Sequence, residues 1–62
     1  MRFERLKSVR HRTGYSSASI YRLIKMGLFP EQIKLGERAS GWLESDIDAW
    51  INQRIAAARK SA

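Results

Sequence analysis

The chain has 62 residues, no cysteine, a single histidine (His11) and an apolar fraction of 44%; this excludes disulfide staples, thiolate zinc and multi-histidine metal sites, and leaves one small apolar core as the means of folding. Twelve Lys and Arg against six Asp and Glu give a net charge of +6 and an isoelectric point near 10.6, a balance that points to nucleic acid as the partner. No apolar run approaches the roughly 18 residues of a membrane span, and Arg2, Glu4, Arg5 and Lys7 leave no apolar segment for a secretory leader, so one domain over residues 1–62, in the cytoplasm, is expected.

Residues 6–12 (LKSVRHR) set Leu6 and Val9 three apart among polar residues, which predicts a short amphipathic helix. Thr13-Gly14-Tyr15-Ser16 interrupts it: Gly14 suits a helix C-terminus with positive φ, and Ser16 suits the N-cap of the next helix. That second helix is predicted over 17–26, with Ile20, Leu23 and Ile24 on one face. Gly27 ends it, and Phe29-Pro30 is expected to lie outside the helix, with Phe29 biased to extended geometry.

Residues 33–43 read as a hairpin. Ile33-Lys34-Leu35 alternates, Trp42 alternates with its neighbours, and Gly36 to Gly41 brackets a turn. Residues 44–58 give the clearest helix, with Ile47, Trp50, Ile51, Ile55 and Ala58 at helical spacing. Glu44, Asp46 and Asp48 crowd its start, and Arg54, Arg59 and Lys60 its end, both favourable to the helix dipole. Residues 59–62 are expected to fray. The expected core packs Ile47, Trp50 and Ile51 against Val9, Ile20 and Ile24, with Trp42 beside them. The fold class is therefore mainly α with a small β-hairpin, in the order helix, helix, hairpin, helix.

The charge is unevenly placed. Residues 1–30 hold seven bases against the single acid Glu4, whereas 31–43 and 44–62 each balance. Two short helices around a glycine turn make a helix-turn-helix, whose second helix enters the major groove of duplex DNA. Here that helix begins Ser17-Ala18-Ser19, small enough for close approach, and continues with Tyr21, Arg22 and Lys25. Arg22 is suited to a bidentate bond with a guanine edge or a phosphate clamp. Arg10 and Arg12, on the helix that crosses the backbone, are candidates for phosphate contact. The hairpin behind reads as a wing with Arg38 at its tip, beside the acid Glu37.

Several runs carry a resemblance. They are Arg5-Leu6-Lys7-Ser8-Val9, Thr13-Gly14-Tyr15-Ser16, Ser19-Ile20-Tyr21-Arg22-Leu23-Ile24 and Gly27-Leu28-Phe29-Pro30. Lys34-Leu35-Gly36, Arg38, Gly41-Trp42 and Glu44-Ser45-Asp46-Ile47-Asp48-Ala49-Trp50-Ile51 follow. In this order and spacing, over about residues 3–56, the sequence resembles the AlpA family of prophage regulators. The resemblance implies a MerR-like winged helix-turn-helix, related to phage excisionases. It implies a bacterial or phage-encoded regulator of excision or integrase genes in a prophage or integrative element. It also places Ser17, Ala18, Ser19, Tyr21, Arg22 and Lys25 on the recognition helix and Arg38 on the wing. No long dimerisation helix or effector domain of the MerR type is recognised, so no small-molecule effector is expected.

Other readings fare less well. The tryptophans sit at core spacing rather than as a base-stacking platform, which disfavours single-stranded RNA. The acids at 44–48 act as dipole partners rather than metal ligands or acid/base catalysts. With one histidine and no phosphate loop, no enzyme, cofactor or metal is expected. Two alternatives to the transcriptional regulator remain: an excisionase bending attachment-site DNA with an integrase, and a small module binding an acidic protein. No heptad pattern follows residue 58, so the protein is expected to be monomeric or weakly associating off DNA, with several copies side by side on repeated sites.

Overall fold

The computed structural model describes residues 2–61. A two-residue strand, β1 (Phe3–Glu4), precedes helix α1 (Leu6–Thr13). α1 ends on Gly14, whose φ of +77° lets its N–H bond the Arg10 carbonyl at 2.8 Å. Tyr15 and Ser16 complete a three-residue turn into α2 (Ser17–Lys25). The Ser16 hydroxyl accepts from the Ser19 N–H at 3.2 Å, the N-cap bond that frees the chain to enter the helix. At the other end Gly27 takes φ +75°, its N–H reaching Ile24 and the Leu28 N–H reaching Leu23. That pair of bonds is a Schellman motif, and it stops α2 one residue before the predicted boundary.

The wing follows as β2 (Ile33–Lys34) and β3 (Ser40–Leu43), joined by a tip at 35–39. β3 is the central strand of an antiparallel sheet ordered β1-β3-β2. Phe3 and Glu4 pair with Leu43 and Trp42 on one side; Ile33 and Lys34 pair with Gly41 and Ser40 on the other. The predicted hairpin thus gains a third strand from the N-terminus, too short to show alternation in the sequence. Gly41 is required by this strand: a Cβ there would lie 2.6 Å from the Glu4 carbonyl oxygen.

α3 (Glu44–Ser61) starts directly from β3 and runs three residues past its predicted end, through positions expected to fray. Ala62, the last of those positions, lies outside the described residues. The architecture is mainly helical with a small sheet, a winged helix-turn-helix with one extra strand.

Five segments each give one residue to the core: Val9 from α1, Ile20 from α2, Phe29 from the following loop, Trp42 from β3 and Ile47 from α3. Leu6, Tyr15, Leu23, Ile24, Trp50 and Ile51 pack around them half-buried. One expectation is corrected here: Trp50, Ile51 and Ile24 flank the core rather than fill it. Phe29, outside α2 as expected, is buried in the core. The reason is aromatic packing: the Phe29 ring meets Trp50 edge-on at 4.7 Å and Trp42 at 6.2 Å between centroids. The two indole N–H groups donate to the loop carrying Phe29, Trp42 to the Pro30 carbonyl and Trp50 to the Leu28 carbonyl, both at 2.8 Å. Each indole thereby buries its apolar body while its polar edge is satisfied.

Candidate nucleic-acid interface

The helix-turn-helix exposes its charge by geometry. Ile20 anchors α2 in the core, with Leu23 and Ile24 half-buried alongside. The positions turned outward are then Ala18, Tyr21, Arg22 and Lys25, spaced i, i+3, i+4 and i+7, all exposed. The smallest side chain stands at the N-terminal end of this face, where free backbone N–H groups also point. Ser17 and Ser19 differ from the other predicted contacts. Both are half-buried, and the Ser19 hydroxyl accepts from Ser16 at 3.1 Å, inside the cap.

On α1, Arg10 lines a hollow with Lys7, His11, Gly14, Tyr15 and Ser16, running from α1 to the start of α2. Lys7 and His11 were not among the sequence candidates. Their spacing to Arg10 and Gly14, again i, i+3, i+4 and i+7, is the signal that finds them.

Arg12 has a different fate. Its guanidinium bridges Glu4 of β1 and Asp48 of α3, one nitrogen to each carboxylate. The hydrogen bond to Asp48 raises the Arg12 pKa above the ordinary arginine value; partial burial opposes this and the charge of Glu4 adds to it. Glu4 is only 7% exposed and also accepts from the Ser8 hydroxyl at 2.8 Å. Arg12 therefore neutralises a buried acid and ties three elements together, its guanidinium paired with both carboxylates while the side chain stays 31% exposed. The sequence gives no hint of this, since Glu4 and Asp48 lie 8 and 36 residues away.

Arg38 stands exposed at the wing tip next to Glu37. The tip is held by the Ala39 carbonyl, which accepts from Leu35 at 2.7 Å and Gly36 at 3.2 Å. On α3, Arg54 lies over the Trp50 ring at 5.2 Å and donates to the Tyr15 hydroxyl at 3.3 Å. Among the described residues no three His, Cys, Asp or Glu side chains converge as a metal site, and no helix is long and apolar enough to cross a membrane.

Residues 2–55 match the family described as prophage CP4-57 regulatory protein (AlpA). The chain is 42% identical over 59 residues to the ORF88 protein of enterobacteria phage P4, covering 95% of this chain and 67% of that protein. It is 35% identical over 60 residues to the DNA-binding transcriptional activator AlpA of Escherichia coli K12, covering 87% of this chain and 86% of that one. The matched span takes in the helix-turn-helix, the wing and most of α3, and the chain belongs to the AlpA family of prophage regulatory proteins.

Proposed function

We propose that this chain, as one winged helix-turn-helix domain, is a sequence-specific regulator that binds double-stranded DNA in the bacterial cytoplasm. Its targets are the excision or integrase genes of a prophage or integrative element. The observation that carries this reading is the outward face of α2. Ala18, Tyr21, Arg22 and Lys25 form one exposed strip on the second helix of a helix-turn-helix. In that motif the second helix enters the major groove led by its N-terminal residues. Ala18 allows close approach, Arg22 reads a guanine edge, and Tyr21 and Lys25 bond the flanking backbone. Arg10, with Lys7 and His11 in the same hollow, holds a phosphate where α1 crosses the strand. Arg38 reaches the backbone from the wing. Ser17 stands beside the strip, and Ser19 acts chiefly through the cap. Arg12 contributes by holding α1 in place rather than by touching DNA.

The relative in E. coli is named a DNA-binding transcriptional activator, which supports a role in transcription. Footprinting on the DNA of the element that encodes the chain tests the reading. Protection upstream of an excision or integrase gene is expected. Protection confined to the attachment site would make the chain an excisionase working with an integrase. No protection of any duplex, with capture of an acidic protein instead, would overturn DNA binding altogether.

A further inference from the structure

The second half of α3 projects from the body of the domain, tied to it by the Arg54 bond to the Tyr15 hydroxyl. Every described residue from 52 to 60 is exposed, and the molecule extends 43 Å along one axis against 25 and 20 Å along the others. Its radius of gyration is 12.1 Å, where a compact chain of this length would have about 10.6 Å. Isolated helices shorter than about 12 residues are marginal in water, so packing normally sustains such a segment.

The projecting part is not uniformly polar. From the half-buried Ile51 at its root, the exposed Ile55 and Ala58 follow at i+4 and i+7. They line a shallow groove together with Tyr15, Trp50 and Arg54. Ile55 is 44% exposed. The charges on α3 are segregated by end, with Glu44, Asp46 and Asp48 at the start and Arg54, Arg59 and Lys60 towards the finish. At 100° per residue, Asp48 and Arg59 fall on the same flank of the Ile51–Ile55–Ala58 stripe, about 20° apart.

These features select one occupant. A second copy running antiparallel sets Ile55 against Ile55, and Ile51 against Ala58, across a two-fold axis. The same register brings Asp48 of each copy beside Arg59 of the other, twice, and opposes the two helix dipoles. Asp48 can serve both partners, since it accepts from Arg12 through Oδ1 and its side chain remains 49% exposed. From this we infer that two copies of the chain associate antiparallel through the C-terminal half of α3. The contact is self-complementary and uses none of Ala18, Tyr21, Arg22 and Lys25, the exposed face of α2.

A seam of two to three helical turns belongs with the smallest specific interfaces, below about 1,200 Å². Association off DNA is therefore weak, with a dissociation constant on the order of 0.1–1 mM. Resting further on the proposed DNA reading, a two-fold pair requires its two short half-sites to be inverted relative to each other. Each copy then raises the local concentration of the next.

Sedimentation equilibrium of the full chain, from about 20 µM to 1 mM, spans that range of dissociation constants. A monomer–dimer equilibrium without larger species is expected. Ile55→Asp and Arg59→Glu should each weaken dimerisation at least about tenfold, since each removes a two-fold repeated contact. Circular dichroism on the same samples confirms that the variants are folded. Arg10→Ala, on the DNA side, should dimerise like the wild type. A wild type that stays monomeric to the top of the range, or a dimer that survives Ile55→Asp, overturns the inference. Because this measurement contains no DNA, failure of the DNA reading leaves it intact. In footprints that do show protection, inverted half-sites support the pair, and half-sites in direct repeat overturn it.

Discussion

Residues 6–25 and residues 40–61 are of similar length and differ in what they carry. The first stretch holds Lys7, Arg10, Arg12, Arg22 and Lys25 and no acid; the second holds three acids and three bases. The first gives the core Val9 and Ile20, and the second gives it Trp42 and Ile47. Only Arg12 of the five bases is neutralised, and both its partners come from outside the helix-turn-helix. Among the described residues no acid lies within ion-pair distance of Lys7, Arg10, Arg22 or Lys25. These four bases gain no salt bridge among the described residues, though Arg10, Arg22 and Lys25 stand in the last turns of their helices, where the dipole favours them. The helix-turn-helix thus carries a surplus of charge on top of its share of the core, while the sheet and α3 pack with balanced charge. Substitutions in the two regions should separate binding from stability.

Trp42→Ala should show the largest effect. It removes the largest fully buried side chain, its ring contact with Phe29 and its bond to Pro30. A loss of about 3–5 kcal/mol is expected in denaturant unfolding, a large share of the stability of so small a domain, and DNA binding should fall with it. Gly41→Ala comes next. The added methyl meets the Glu4 backbone, so β1 must shift, at a cost of about 1–3 kcal/mol. If Gly41→Ala melts like the wild type, β1 does not pair as described.

Two arginines of the same motif offer the sharpest contrast. Arg22→Ala should leave the unfolding midpoint within the usual surface range, about 0.5 kcal/mol. It should weaken binding to the preferred site by about 1–3 kcal/mol, with a loss of sequence discrimination. Equal weakening on every duplex would make Arg22 a phosphate clamp instead. Arg12→Ala should do the reverse. Leaving Glu4 buried without its partner should cost about 1–2 kcal/mol of stability, read from the unfolding midpoint. Binding by the fraction still folded should be nearly unchanged. Smallest of all, Glu37→Gln should tighten binding by a few tenths of a kcal/mol, about the size of one exposed charge contact. No change on that substitution would place the wing tip away from the backbone.

Much of this arrangement is legible in the sequence because it is local. Gly14, Ser16 and Gly27 mark helix ends through their own backbone preferences and hydroxyl chemistry. The 44–58 repeat announces α3 by periodicity alone. The exposed strip on α2 follows once Ile20, Leu23 and Ile24 are recognised as its inner face. What escaped depends on pairs far apart in the chain. β1 has two residues and is defined only by β3. Phe29 is buried because two tryptophans, 13 and 21 residues further on, close over it. Arg12 looks like any other base in the run until Glu4 and Asp48 are placed around it. Ser19 is a local case instead: its hydroxyl, three residues from Ser16, is drawn into the cap that Ser16 forms.

DNA binding through an electrostatic face is tested most directly by the salt dependence of affinity for duplex DNA. With about five phosphates neutralised per protomer, log K should fall against log salt concentration with a slope of about −4.5. Arg12→Ala should keep that slope, and Arg10→Ala should reduce it by about one. A nearly flat response in the wild type would contradict the account, and would mean that the basic face serves a contact other than the DNA backbone.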